Sequence, residues 1–131
     1  MIKRYYIFIF ILLCLSLQHN AQIKKEEPTL TRVLFVFDAS NSMQSKHGSK
    51  TRIQGAKDLF YNFLDSLSKQ KNIQFALRMY GHTVKYPPGD CKDSKLVVPF
   101  GKNNSALIKS KVAEAKPTGI TPIEQIGRAH V

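Results

Sequence analysis

The run Val33-Leu34-Phe35-Val36-Phe37 is apolar at every position and rich in β-branched and aromatic side chains. That pattern predicts a strand buried on both faces of a parallel sheet. Further along, Ile53, Ala56, Phe60, Phe63, Leu64 and Leu67 recur at three- and four-residue spacing and predict one apolar helix face. Ile73, Phe75, Leu77 and Met79 then alternate with Gln74, Ala76, Arg78 and Tyr80, which gives a second strand stopping at Gly81. This strand, helix, strand order predicts a parallel, right-handed crossover. The loop 83–93 carries Pro87-Pro88-Gly89 as its turn signal, and its compactness predicts that the apolar segment 95–100 pairs antiparallel at the sheet edge. Asn103 or Asn104 is placed to cap a helix over about 105–115, with Leu107, Ile108 and Val112 inward, before Pro117 and Gly119 end it. The expected fold class is α/β: a doubly wound, mostly parallel sheet with helices on both faces.

The first residues follow a different pattern. Lys3 and Arg4 precede an apolar stretch from Ile7 to Leu17, and His19-Asn20-Ala21 forms a short polar exit ending in a small residue. This reads as a secretory signal peptide over 1–21, since the apolar stretch falls short of the ~20 residues of a spanning helix. A linker over 22–31 and one domain over 32–125 follow. The expected location is outside the cytoplasm: periplasmic, cell-surface or secreted, with membrane contact only through the N-terminal segment if it stays uncleaved. Cys91 is then the only cysteine of the mature part, with neither a CxxC partner nor a nearby histidine to make it a metal ligand or a nucleophile.

The formal net charge is +11, and loss of Lys3 and Arg4 leaves about +9. Apart from the adjacent Lys24 and Lys25, the lysines are scattered singly as far as Lys116 rather than clustered with interleaved aromatics, so the charge reads as a solvated surface and no nucleic-acid partner is expected. Such a surface favours acidic partners or envelope polymers.

The polar cluster Asp38-Ala-Ser40-Asn-Ser42 directly follows the first apolar run. In open α/β sheets ligands bind outside the carboxyl ends of the strands, and one carboxylate with two hydroxyls is an all-oxygen set suited to a hard cation such as Mg²⁺. Taken singly, Asp38, Ser40 and Ser42 are ordinary turn residues that satisfy loop backbone groups. Thr121 fits a helix N-cap with Pro122 at the first helical position, a role compatible with metal ligation. His82 reads as a hydrogen-bonding loop residue, and Asp90 and Asp93 as solvated carboxylates flanking Cys91.

The DxSxS pattern of Asp38, Ser40 and Ser42, the helix opening Thr51-Arg-Ile53, the strand end Tyr80-Gly81-His82 and the loop Gly119-Ile-Thr121-Pro122-Ile123 together resemble the von Willebrand factor type A domain, over Arg32 to Gln125. The segments Tyr86-Pro-Pro-Gly-Asp90-Cys91 and Leu96-Val-Val-Pro-Phe100 are similar to exported bacterial members. The resemblance implies a Rossmann-like fold and a metal-ion-dependent adhesion site in which Asp38, Ser40, Ser42 and Thr121 hold Mg²⁺, or Mn²⁺ or Ca²⁺. Neutral hydroxyls leave the cation under-neutralised, so a carboxylate of a protein or envelope partner completes the shell. The implied function is thus metal-dependent protein binding or adhesion. The family commonly has glycine where this chain has Asn41, a mild departure because Asn tolerates left-handed backbone. The resemblance also implies a later aspartate, on an element beyond Gln125. The closing Ile126-Gly-Arg-Ala-His-Val131 reads like one frame of a sequencing-library adapter and is expected to be non-native.

Enzymatic classes find no support in the motifs. A phosphatase of the aspartyl-phosphate kind needs a carboxylate two residues after Asp38, where Ser40 stands. There is no GxSxG elbow, no phosphate-cradling Gly-Lys loop and no triad context around His47 or His82. The alternative expectation is a docking domain of a larger envelope enzyme or chelatase-like complex.

Overall fold

A computed structural model describes residues 29–124. The expected signal segment and the tail over 126–131 lie outside the described residues. In chain order the elements are β1 (Thr31–Asp38), a 3-10 turn (Asn41–Gln44), β2 (Lys46–His47), β3 (Lys50–Thr51), α1 (Arg52–Leu67), β4 (Ile73–Tyr80), β5 (Ser94–Gly101) and α2 (Ser105–Glu114). β1 and β4 pair in parallel in unbroken register, from Thr31 opposite Ile73 to Asp38 opposite Tyr80. β5 runs antiparallel to β4, with irregularities between Phe75 and Leu77 and between Leu77 and Arg78, so the sheet order is β1-β4-β5. β2 and β3 form a small separate antiparallel hairpin. The polar stretch before α1 carried no strand signal in the sequence, and Gly48 supplies its left-handed turn position (φ +64°).

The fold class needs correction. The described sheet is mixed and three-stranded, with one parallel pair, two helices and a hairpin, and not a doubly wound parallel sheet. The strand, helix, strand pattern specifies only the β1-β4 pair, while the short loop after β4 returns the chain antiparallel. Burial in β1 also alternates: Phe35 and Phe37 are buried, whereas Leu34 and Val36 are only half-buried. The continuous apolar run thus overstated a strand covered on both faces.

The two helices pack side by side rather than on opposite faces. Lys57 Nζ of α1 donates to the Ala113 and Ala115 carbonyls at the end of α2 (2.8 and 2.9 Å), and Lys109 of α2 reaches Asp65 of α1 at 2.6 Å. One core joins Phe35, Phe37, Phe75, Leu77, Met79 and Val98 of the sheet to Ile53, Leu64, Ile108 and Val112 of the helices. Leu64 and Leu77 are fully enclosed, each contributing about 1.5–3 kcal/mol of burial. The Phe35 ring meets Phe60 edge-on at 5.0 Å, fixing α1 over β1. α1 starts where Thr51 caps it: the Thr51 hydroxyl accepts from the Gln54 amide, and the Gln54 side chain accepts from the Thr51 amide. Asn104 stands at the N-cap of α2, but its side-chain amide donates instead to the Phe75 and Pro99 carbonyls, tying the helix start to β4 and β5. Leu107, expected inward, is half-exposed.

Candidate functional site

β1 delivers Asp38 to the carboxyl end of the parallel pair, beside Tyr80 of β4. Asp38 Oδ1 accepts from the Ser40 amide at 2.7 Å, so the carboxylate folds over the turn that follows it. Burial, and next the neighbouring Asp38 charge and a hydrogen bond to it, push the Tyr80 phenol well above its usual pKa and keep it a neutral donor. The 3-10 turn then reverses the chain, with the Met43 amide donating to the Ser40 carbonyl at 2.9 Å. This brings Ser40 Oγ and Ser42 Oγ to 3.1 Å from each other. Ser40 is buried at 2% exposure, whereas Ser42 is open to solvent.

The loop after α2 completes the cluster. Gly119 bridges Ser40 in parallel, as though extending the sheet by one residue beside β1. The Asn41 amide donates to the Gly119 carbonyl (2.7 Å), the Gly119 amide to Gly81 (2.9 Å) and the Thr118 amide to Ala39 (3.2 Å). The Gln44 side chain clamps the same loop through the Pro117 carbonyl at 2.6 Å. Thr121 follows two residues after the bridge, exposed, with Pro122 buried behind it. The four residues singled out in the sequence are therefore carried on adjoining loops at one sheet edge. The direct oxygen contact is the Ser40–Ser42 pair.

Sequence reasoning missed the supports. Gly81 has φ +67°, and a Cβ there would lie 2.7 Å from Ser40 Cα. A Cβ on Gly119 would come within 2.7 Å of the Val84 carbonyl. The glycines let three loops touch, a need visible in the sequence only as Gly after a strand and before a threonine. Asp93, read as solvated, is buried at 2% exposure. It accepts from the Thr83 hydroxyl (2.5 Å) and from the Thr83 and Val84 amides (2.8 and 3.1 Å), pinning the loop after β4. Burial would raise its pKa, but these hydrogen bonds and His82 hold the carboxyl below the usual value. His82 Nδ1 lies 3.8 Å from Asp93 and has no hydrogen-bond partner; burial outweighs the attraction of Asp93 and lowers its pKa.

Among the described residues no three His, Cys, Asp or Glu side chains converge on a point where a metal ion could sit. In the cluster at the end of β1 only Asp38 carries a carboxylate, and the remaining candidate ligands are hydroxyls. Its chemistry fits a hard, oxygen-preferring cation and not zinc or copper.

No family model matches this chain. It is 30% identical over 102 residues to the uncharacterized protein YwmD of Bacillus subtilis, a match covering 75% of this chain and 45% of that protein. The chain thus spans about half the length of this relative. Among solved structures it is similar to the PilB minor pilin of Streptococcus sanguinis, with TM-score 0.57 and 18% identity over 73% of this chain and 24% of the pilin. BatB, a conserved hypothetical protein of Bacteroides thetaiotaomicron, gives TM-score 0.55 and 19% identity over 76% of this chain and 44% of BatB. An uncharacterized membrane-spanning protein of Vibrio fischeri gives 0.54 and 17%, over 78% and 48%. These likenesses show a shared fold.

They also correct the family reading. The structural neighbours are a pilin and BatB-like or membrane-spanning proteins, no family model supports a von Willebrand factor type A domain, and the sheet is the small mixed one described above. The name of that family's adhesion site is withdrawn with it, and among the described residues no group of three or more His, Cys, Asp or Glu side chains could hold a metal ion. The DxSxS order misled because aspartate and serine after a strand also serve as turn chemistry, as the Asp38–Ser40 amide bond illustrates.

Proposed function

We propose that this chain is an exported, non-enzymatic protein-binding module of the cell envelope, whose Asp38, Ser40 and Ser42 cluster, with Thr121 alongside, recognises a carboxylate-bearing partner through a hard divalent cation, Mg²⁺ in the first instance. The observation that carries this reading is the 3.1 Å separation of the Ser40 and Ser42 hydroxyl oxygens. Neighbouring ligands of an octahedral Mg²⁺ shell, with bonds of ~2.0–2.1 Å, lie about 2.9 Å apart, and those of a Ca²⁺ shell with longer bonds about 3.4 Å. The pair stands between the two. Asp38 supplies one negative charge against two positive ones, so a bound cation retains attraction for an outside carboxylate. The minor pilin and the membrane-spanning protein among the structural neighbours are consistent with an envelope setting.

The test is thermal unfolding of the mature chain with Mg²⁺ titrated from zero to millimolar, beside Asp38→Ala. A midpoint that rises with Mg²⁺ in the parent and stays flat in the variant is the expected result. A parent indifferent to Mg²⁺, Mn²⁺ and Ca²⁺ alike would overturn the proposal.

A further inference from the structure

At the opposite end of the parallel pair, roughly 23 Å from Asp38 at ~3.3 Å per residue, the α1–β4 and β5–α2 connections line a half-open cavity of about 410 Å³. Ser68, Lys69, Lys71, Asn72, Lys102 and Asn103 line it, and no Asp or Glu does. Its frame is fixed: the Thr31 amide donates to the Asn72 carbonyl at 2.9 Å, and Asn72 and Asn103 both hold left-handed backbone (φ +59° and +56°). Four lysines elsewhere are engaged. Lys50, Lys109 and Lys111 pair with carboxylates at 2.6, 2.6 and 3.0 Å, and Lys57 binds the end of α2. Lys69, Lys71 and Lys102 have no such partner among the described residues.

We infer that this pocket is an anion-binding site for a phosphoryl group, separate from the cluster around Asp38. Three lysines line it from two connections, together with Ser68, Asn72 and Asn103. A carboxylate needs one such cation, whereas a phosphate dianion with three acceptor oxygens takes several, and lysine serves it as a mobile point charge. The C-terminal end of α1 opens onto the same place and carries a partial negative charge of about half a unit, small against three lysines. The cavity also exceeds the volume of a lone phosphate, leaving room for the group that bears it. That group belongs to a soluble phosphoester or to a phospholipid headgroup, and the phosphoryl chemistry is common to both.

The experiment titrates the mature chain with pyrophosphate and with glycerol 3-phosphate by calorimetry at low ionic strength, and in parallel with phosphatidylglycerol vesicles by sedimentation. The variants are Lys71→Gln/Lys102→Gln and, as a control of equal charge per site away from the pocket, Lys46→Gln/Lys92→Gln. Loss of two charged donors should weaken binding by at least about tenfold, while the control changes it little. Pocket-dependent binding of the soluble esters alone assigns a soluble ligand, and pocket-dependent vesicle binding assigns the headgroup. Equal loss in both double variants would reduce the effect to diffuse surface charge and overturn the proposal. So would a Lys71→Gln/Lys102→Gln protein that is less stable but binds as the parent does, since the lysines would then only offset the end of α1.

Discussion

Ser40 Oγ and Ser42 Oγ lie 3.1 Å apart, one buried and one in solvent. The contrast separates structure from binding. Ser42→Ala removes an exposed hydroxyl and should shift the unfolding free energy by less than about 0.5 kcal/mol. It should nonetheless abolish most of the Mg²⁺-dependent rise in melting temperature. Melting curves with and without EDTA read both quantities, and a Ser42→Ala protein that keeps the parent's Mg²⁺ response would remove Ser42 from the site.

Gly81 and Gly119 resist substitution for different reasons. Gly81→Ala meets both a left-handed backbone and a contact of 2.7 Å to Ser40 Cα. Gly119→Ala meets only the close contacts, at 2.7 Å to the Val84 carbonyl and 3.0 Å to Asp93 Oδ2. Positive φ alone costs an L-residue about 1–2 kcal/mol, so Gly81→Ala should be the more destabilising by at least ~1 kcal/mol in urea titration. Its metal response should fall as well, because the atom it strikes is the backbone of Ser40.

Much of the topology was legible because it is local. The alternation over Ile73 to Tyr80 gave β4 at its observed bounds, the double-proline loop gave an antiparallel β5, and Thr51 marked the start of α1. What failed depended on distance along the chain. Side-by-side packing of α1 and α2 rests on Lys57 and Asp65 meeting residues more than forty positions away, as the Lys109–Asp65 bond does with a separation of 44. No periodicity encodes that. Likewise Asp93 looked like a polar loop residue until its partners Thr83 and Val84 were found across the turn. Of the candidate site, the residues were readable at the strand end, but the Gly81–Gly119 contact that assembles the loops was not.

Lys57 tests the helix pairing. Its ammonium donates to two carbonyls at the C-terminal end of α2, where a cation also meets the negative end of the helix dipole, and partial burial lowers its pKa. Lys57→Met keeps the apolar stem and removes the charged donor. The expected cost is about 1–2 kcal/mol, with faster amide exchange confined to the last turn of α2. A loss spread evenly over both helices would mean that the stem, not the ammonium, holds them together.

Acid should destabilise the fold in two windows. His82 has its folded pKa lowered from 6.5, by burial against the opposing attraction of Asp93 and with the nearby charge of Lys95. The unfolded chain therefore takes up the proton first, and stability falls as pH drops below about 6.5 until the folded imidazole is protonated too. Asp93 has its carboxyl held below 3.8 despite burial, by the Thr83 hydroxyl, the Thr83 and Val84 amides and His82. Its contribution is complete above the unfolded value of about 3.9 and is lost as pH falls through the lower, folded value. Urea midpoints measured from pH 8 to pH 2 should show both declines. His82→Gln should flatten the upper one and leave the lower. Asp93→Asn should cost about 2 kcal/mol at neutral pH and flatten the lower one, and an acid limb unchanged in Asp93→Asn would place the responsible carboxylate elsewhere.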